Sequence, residues 1–188
     1  MKLVKRCLGL VCIMILGVPA LSGAFDIQLT QEQMKEANEY GGKYKGKDIF
    51  DSPVVKPACF GEYPKGGGGL IMSKYIKIAV SSAMKAMKDQ SLTSEDLKEM
   101  TESVTFNVVV SVPEEGIQSP EDVQIILKQG MNVILPEKNA FGMKYKDKRQ
   151  GIIGAFRYDK INPGANTAIV VKTKKSEETY KIDFSDVK

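Results

Sequence analysis

A basic cluster around one aromatic residue is the part of the sequence whose residue types best suit ligand binding. Its members are Lys144, Tyr145, Lys146, Lys148 and Arg149, and Asp147 is the only acid among them. Basic side chains beside an aromatic ring suit phosphate groups and other anionic polymers. We therefore expect the cluster either to bind an anionic surface or to form a solvated hairpin loop, where runs of charge are common.

Residues that could catalyse a reaction occur only in arrangements of low specificity. The chain has no His, which excludes His-based nucleophile triads, His metal sites and haem with a His ligand. Ser73 directly precedes Lys74, and Ser81 lies one helical turn before Lys85. A Ser–Lys pair needs a desolvated lysine, whereas these residues lie on the predicted solvent-facing side of a helix. Hydrolysis by such a pair or by paired carboxylates is an alternative hypothesis, and we predict that the protein is not an enzyme.

Four consecutive glycines, residues 66–69, precede a predicted helix start at Ser73. A glycine-rich loop before a helix can bind phosphate through backbone N–H groups. A nucleotide-binding P-loop also needs a preceding strand and a Gly-Lys-Ser/Thr sequence at the helix start. Here three apolar residues intervene and no strand is predicted before the glycines. We expect a flexible linker, and the sequence predicts no cofactor.

The first 24 residues have the pattern of a secretory signal peptide. Basic residues precede an apolar run over residues 7–18, and small residues at positions 22–24 suit signal peptidase. The run is shorter than the about 20 residues that span a bilayer, and a retained N-terminal anchor is the alternative. We predict cleavage between Ala24 and Phe25, a periplasmic or secreted protein, and no transmembrane span once the leader is removed.

The charge balance argues against a nucleic-acid partner. The chain has 27 basic and 23 acidic residues. Three of the basic residues and none of the acidic ones lie in the predicted leader, so residues 25–188 carry a net charge of +1. A charge this small supplies no extended positive field, and we predict no nucleic-acid binding.

Cys59 is the only cysteine outside the predicted leader. No internal disulfide can then form, so in an oxidising compartment the thiol would pair with a second chain or stay inert. A nucleophilic thiol needs a base, and the chain has no His for this role. Cys59 is therefore a candidate for an intermolecular disulfide rather than for catalysis.

Residues 25–103 have the periodicity of helices that are joined by a long loop. Helix N-caps are predicted at Thr30, at Ser73, and at Thr93 or Ser94. Gly41 and Gly42 are expected to end the first helix near Tyr40. Residues 43–69, which are rich in Gly, Pro and Lys, are expected to form a poorly ordered or surface-draped loop.

From residue 104 the apolar residues alternate with polar ones. Six or seven short runs are separated by Gly, Pro and Asn, which predicts an antiparallel, immunoglobulin-like β-sandwich over residues 104–188. The runs near residues 104–112 and 179–184 alternate most cleanly, and we expect both in the core. The predicted fold class is therefore α+β, without the βαβ alternation of a dinucleotide-binding sheet.

Several short motifs follow one another in a set order along residues 25–188. They are Leu29-Thr30, Glu36-Ala37, Tyr40-Gly41, Ile78-Ala79 with Ala83, Leu92-Thr93 with Asp96, Asn162-Pro163-Gly164, and Tyr180 with Ile182 and Phe184. This order resembles a loose group of exported bacterial proteins of uncharacterised function. The resemblance implies export and a helical N-terminal part followed by a strand-rich half, and it transfers no catalytic residue.

The sequence thus favours a non-enzymatic, exported binding or interaction protein of the cell envelope. Its partner would be an envelope protein, a lipid or a glycan, and an exposed sheet edge or the seam between helices and sheet is the expected docking place. The alternative is a carrier of a small ligand or lipid, with a cavity between the helix at residues 74–88 and the sheet.

Overall fold

Three α-helices and two antiparallel sheets build the part of the chain that the computed structural model describes, residues 25–188. The predicted α+β class is confirmed. The predicted signal peptide, residues 1–24, lies outside the described residues. Among residues 25–188, none of the helices combines the length and the apolar character that a membrane crossing requires.

The three helices begin where the sequence predicts them. They are α1 (Gln31–Gly42), α2 (Lys74–Ala86) and α3 (Ser94–Glu102). The hydroxyl groups of Thr30, Ser73 and Thr93 each accept a hydrogen bond from the backbone N–H three residues later. These bonds satisfy N–H groups that have no partner within the helix, so the caps predicted at Thr30 and Ser73 are confirmed, and of the two candidates for the third helix Thr93 is the cap.

The end of α1 differs from the prediction, because Gly41 and Gly42 belong to the helix. A Cβ atom on Gly41 would lie 2.1 Å from the carbonyl oxygen of Ala79 in α2. Glycine therefore lets the two helix backbones approach closely instead of ending the first helix. The Ser82 hydroxyl of α2 donates to the Asn38 carbonyl over 2.8 Å in the same contact.

Nine strands form the two sheets of residues 25–188. In the first sheet the strand order is β1 (Cys59–Gly61), β2 (Gly68–Met72), β3 (Thr105–Pro113), β7 (Arg149–Arg157) and β6 (Lys138–Tyr145). In the second sheet the order is β5 (Asn132–Ile134), β4 (Gln124–Gln129), β8 (Thr167–Lys172) and β9 (Glu177–Ile182). The strand β1 of the first sheet contacts β9 of the second, and β6 and β5 form the opposite ends of the two sheets.

The predicted loop over residues 43–69 is wrong where β1 and the start of β2 lie. Gly69 pairs with Phe60 on one side and with Val110 of β3 on the other. A Cβ atom at this position would lie 2.1 Å from the Val109 carbonyl oxygen and 2.5 Å from the Phe60 ring. Gly68 and Gly69 therefore belong to a closely packed strand and not to the expected linker, while Gly66 and Gly67 lie in the turn between β1 and β2.

Of the two runs expected in the core, only one is buried along its length. The strand β3 lies between β2 and β7 and is mostly buried. The strand β9 ends its sheet, and its residues are exposed or half-buried. Phe184 is fully buried, but it lies in a 3-10 turn after β9. The core prediction holds only in part for the strand over residues 179–182: Tyr180 and Ile182 pack against the core while the other residues of the strand are exposed, because alternation alone does not distinguish an edge strand from a central one.

The two sheets contact each other through apolar side chains. A Cβ atom on Gly154 of β7 would lie 3.2 Å from Cδ1 of Ile125 in β4. On one side of the sheet pair, the rings of Phe60 in β1 and Tyr180 in β9 are 5.0 Å apart. On the other side, the Asn139 amide of β6 donates to the Val123 carbonyl, which precedes β4, over 3.0 Å. The sides formed by β1 and β9 and by β5 and β6 are therefore closed in different ways.

Candidate functional site

The side formed by β5 and β6 carries a concentration of exposed apolar side chains. Nine large apolar residues are exposed among residues 25–188, and five of them lie between positions 131 and 143. These five are Met131, Val133, Leu135, Phe141 and Met143, and we call them the β5–β6 surface. Met131 is 99% exposed. The five residues lie close together in the sequence, and concentrations of exposed apolar groups mark places where partners bind.

The register of the β4–β5 hairpin determines that Val133 faces outward. Gly130 has φ 59°, a left-handed conformation that suits the tight turn between the strands. Val133 pairs with Lys128, and Ile134 pairs with Leu127. Because paired residues share a face of the sheet, Ile134 faces the buried Leu127 while Val133 faces outward beside the lysine.

The β6 half of the surface is exposed because this strand ends its sheet. Phe141 pairs with the fully buried Ile152 of β7 and therefore points toward the same face, yet its side chain is 48% exposed. The pairing is irregular between Phe141 and Lys144, which places Met143 in a bulge. A bulge of this kind redirects side chains at a sheet edge.

Two lysines lie near the exposed apolar residues in the fold: Lys128 pairs with Val133 across the β4–β5 hairpin, and Lys138 begins β6. Lys128 and Lys138 are exposed, and neither forms an ion pair with another residue of the described part of the chain. An uncompensated pair of lysines beside an apolar surface favours a partner that combines apolar and acidic groups.

The predicted basic cluster lies at the β6–β7 hairpin, where the structure divides its members among separate contacts. The Lys144 ammonium forms an ion pair with Glu114 at 2.7 Å. Nε of Arg149 donates to the Ser111 hydroxyl over 2.9 Å. Lys146 and Lys148 are exposed in the turn. Pairing with Glu114 reduces the net charge that this hairpin offers an anion, so anionic-surface binding stays a prediction.

Tyr145 belongs to a half-buried aromatic contact and not to an open binding face. Its ring packs edge-on against Tyr63 with centroids 6.2 Å apart, and its hydroxyl donates to the Tyr63 hydroxyl over 3.2 Å. Burial raises the pKa of Tyr145 above its ordinary value of 10.0. The residue joins the hairpin to the segment between β1 and β2.

Cys59 is half-buried, and its thiol contacts the Val55 carbonyl oxygen with 3.6 Å between sulfur and oxygen. Burial, followed by the nearby carboxylates of Asp48 and Asp51, raises the pKa of the thiol to about 12. Since the thiolate is the reactive form, this environment disfavours disulfide exchange. The intermolecular disulfide stays a prediction, and the surroundings of the thiol support its inert alternative.

Phe25, the second residue of the predicted cleavage site, is part of the core, while Ala24 lies outside the described residues. Phe25 is 2% exposed, and its ring lies 4.5 Å from that of Phe184 and 4.9 Å from that of Phe106, measured between centroids. Its backbone N–H donates to the Val187 carbonyl over 2.6 Å. This contact joins the first described residue to the last turn of the chain.

Ser73, Lys74 and Lys85 of the hydrolase hypothesis are engaged in structural contacts. The Ser73 hydroxyl caps α2 and donates to the Lys188 carbonyl over 2.5 Å. Lys85 forms an ion pair with Asp96 at 2.6 Å. Lys74 was expected to face solvent, and this prediction is wrong because the residue is only 6% exposed.

Sequence reasoning missed both the β5–β6 surface and the burial of Lys74. The alternation of Met131, Val133 and Leu135 was visible, but the pattern does not say which face turns inward. The signal that could have found the surface is the Gly130 turn, which fixes the register of β5 against β4. The chain matches no protein family model, no curated protein and no solved structure, so its function must be inferred from its own residues.

Proposed function

We propose that the protein is a non-enzymatic binding module of the cell envelope that docks a partner polypeptide on the β5–β6 surface. The observation that carries this proposal is the concentration of five exposed apolar side chains on β5 and β6 and in the residues that flank β5. Burial of such side chains against a partner is the main favourable term in protein association.

A polypeptide suits this surface better than a lipid or a glycan. The outer edges of β5 and β6 have no neighbouring strand among residues 25–188, so their backbone groups can pair with an extended segment. Apolar residues on such a segment would contact Val133 and Phe141. Acidic residues would pair with Lys128 and Lys138, which supplies specificity in addition to apolar contact.

Export is part of the proposal and is supported by the sequence of the leader. Residues 1–24 combine basic residues, an apolar run and small residues at the predicted cleavage position. The resemblance to exported bacterial proteins favours the same location. A periplasmic or secreted binding module would meet its partner outside the cytoplasm.

We also propose that the two sheets form a sandwich-like arrangement. The approach of Gly154 to Ile125 and the contact of the Phe60 and Tyr180 rings support two sheets that pack face to face. The immunoglobulin-like form of this arrangement stays a prediction. In a sandwich, the β5–β6 side would be an opening between two sheet edges, which suits the insertion of a partner segment.

Site-specific photo-cross-linking tests the proposed function. A photoreactive phenylalanine analogue would replace Phe141 in the full chain, and a matched variant would carry it at Met87, which is 58% exposed at the end of α2. In cells that produce the chain with its own leader, we expect a specific polypeptide adduct from position 141 and none from position 87. Mapping of the adduct should place the cross-link in an extended segment with apolar and acidic residues.

Two results would contradict the proposal. Equal polypeptide adducts from positions 141 and 87 would show that exposure alone explains the capture. Adducts to lipid only at position 141 would show that the surface meets a membrane and not a polypeptide.

A further inference from the structure

A groove of about 530 Å³ lies beside the N-terminal end of α2, and none of its lining residues belongs to the β5–β6 surface. Its walls come from the segment before α1, the end of α3 and the end of β7. Ile27, Leu29, Lys74, Val104, Arg157 and Tyr158 are among the lining residues. A concave site of this size is within the range of small-molecule sites.

Lys74 is a buried cation without a carboxylate partner. Lys74 is 6% exposed, and its ammonium forms no ion pair with any carboxylate of residues 25–188. Burial of an unpaired charge is strongly unfavourable, and buried lysines are normally paired. In agreement with this, burial lowers the pKa of the Lys74 ammonium.

The position of Lys74 in the helix adds to this excess of positive charge. It is the first residue of α2, and the N-terminal end of a helix carries a partial positive charge that favours anions. A cation at this end is therefore unfavourable unless an anion lies nearby. The buried ammonium and the helix end both favour negative charge at the same place.

The contacts that Lys74 makes within the chain leave part of its hydrogen-bonding capacity unused. Nζ donates to the Thr101 carbonyl near the end of α3 over 2.5 Å and lies 5.5 Å from the centroid of the Tyr158 ring. The carbonyl bond stabilises the C-terminal end of α3. It uses one of the three ammonium protons, so the contact is structural and still leaves donors for a ligand.

The other charged groups of the groove limit the ligand to one negative charge. Arg157 forms ion pairs with Asp159 at 2.7 Å and with Glu137 at 3.7 Å. Glu102 lines the groove as well and is exposed. Because these carboxylates repel additional anions, a dianionic phosphate fits less well than a carboxylate.

The apolar residues of the groove indicate what the rest of the ligand is. Ile27 is 46% exposed and Val104 is 61% exposed, and Leu29 lines the groove with them. These side chains gain contacts only if an apolar body covers them. We propose that the groove binds a single-chain carboxylate amphiphile, such as a fatty acid, with the carboxylate on Lys74 and the chain against Ile27 and Val104.

Calorimetric titration with decanoate and with decanol tests this proposal on the protein recovered after export. The two probes have the same chain, and only decanoate carries a charge. We expect decanoate to bind about tenfold more tightly than decanol, as a charge-assisted hydrogen bond predicts. Lys74→Met should remove this preference, and the matched variant Lys77→Met, one turn further along α2, should keep it.

A measurement on the unmodified protein keeps the proposal testable if Lys74→Met fails to fold. With ¹³C-labelled decanoate, nuclear Overhauser contacts from the chain to Ile27 and Val104 are expected. Equal affinity for decanoate and decanol, a preference that survives in Lys74→Met, or chain contacts elsewhere on the protein would each overturn the assignment. Because the groove and the β5–β6 surface share no residue, either function can fail without the other.

Discussion

The two sides of the sheet pair are built from the same kinds of residue and have opposite surroundings. On the side of β1 and β9, Phe60 is 5% exposed and packs against Tyr180. On the side of β5 and β6, Phe141 is 48% exposed although it shares a face with the buried Ile152. One aromatic residue completes the core, while the other remains available for a partner.

Phe60 and Phe141 differ in exposure because β1 and β6 make different contacts with the opposite sheet. The strand β1 meets a ring from the opposite sheet, so its apolar side chain is covered within the chain. The strand β6 meets the segment before β4 through one hydrogen bond of the Asn139 amide, and Oδ1 of that amide is buried without a hydrogen-bond partner among the described residues. The β5–β6 side thus has a buried polar atom without a hydrogen bond. Such a local loss of stability is expected at a functional site.

The largest expected difference between the two sides comes from truncation of their aromatic residues. Phe60→Ala should lower the free energy of unfolding by about 3–5 kcal/mol, because it leaves a cavity in the core. Phe141→Ala should lower it by about 1 kcal/mol or less, because much of the ring is already in water. Urea unfolding of both variants measures the two values.

Similar losses of stability in Phe60→Ala and Phe141→Ala would contradict the comparison. In that case the β6 side would belong to the core, and the exposure of Phe141 would not indicate a binding surface.

A smaller effect is expected from filling the space that glycine leaves in β2. Gly69→Ala places a Cβ atom against the Val109 carbonyl oxygen, and we expect a loss of about 1–3 kcal/mol. Gly42→Ala is the matched control, because its Cβ atom would lie 4.0 Å from the nearest atom, the Ser82 hydroxyl oxygen. Thermal unfolding of both variants checks the prediction, which fails if Gly69→Ala is as stable as the control.

Features set by neighbouring residues could be predicted from the sequence. Thr30, Ser73 and Thr93 cap helices because a short side chain reaches a backbone N–H three residues away. The β3 strand follows from alternation over residues 105–113. Both signals are local, so no knowledge of the packing is required.

Features set by contacts between distant residues could not be predicted in this way. In the sequence Lys74 has the pattern of a solvent-facing helical lysine. Its burial results from contacts with the Thr101 carbonyl and the Tyr158 ring, which are distant in the sequence. Gly69 has the sequence pattern of a linker residue, and only its contacts with β3 and Phe60 show that it belongs to a packed strand. The candidate site was missed for the same reason, because the outward direction of Val133 depends on its register with Lys128.

Low pH should decrease the stability of the β5–β6 side, because Asp122, which precedes β4, becomes protonated. Its carboxylate pairs with Lys174 at 2.8 Å and accepts hydrogen bonds from the backbone N–H groups of Gln118 and Ser119. The Lys174 contact first and then these N–H groups lower its pKa from 3.8 to about 2. A lowered folded-state pKa gives stability that is present above pH 3.8 and is lost as the pH falls toward 2.

Unfolding measured between pH 5 and pH 2 should therefore show a smaller dependence on pH in Asp122→Asn than in the unaltered chain. An identical pH dependence in the two proteins would show that Asp122 does not contribute. Lys174→Met should reproduce part of the effect, because it removes the first of the contacts that lower the pKa.

The smallest effect on stability is expected where the effect on binding is largest. Met131→Ser combined with Val133→Ser removes two exposed apolar side chains, and surface changes of this kind alter stability by about 0.5 kcal/mol or less. The same double variant should strongly reduce polypeptide cross-linking from position 141, whereas the matched variant Met87→Ser should not. If the double variant unfolds as easily as Phe60→Ala, these side chains stabilise the fold, and their exposure carries no functional meaning. If it is stable and still cross-links fully, the partner does not contact β5, and the binding surface is restricted to β6.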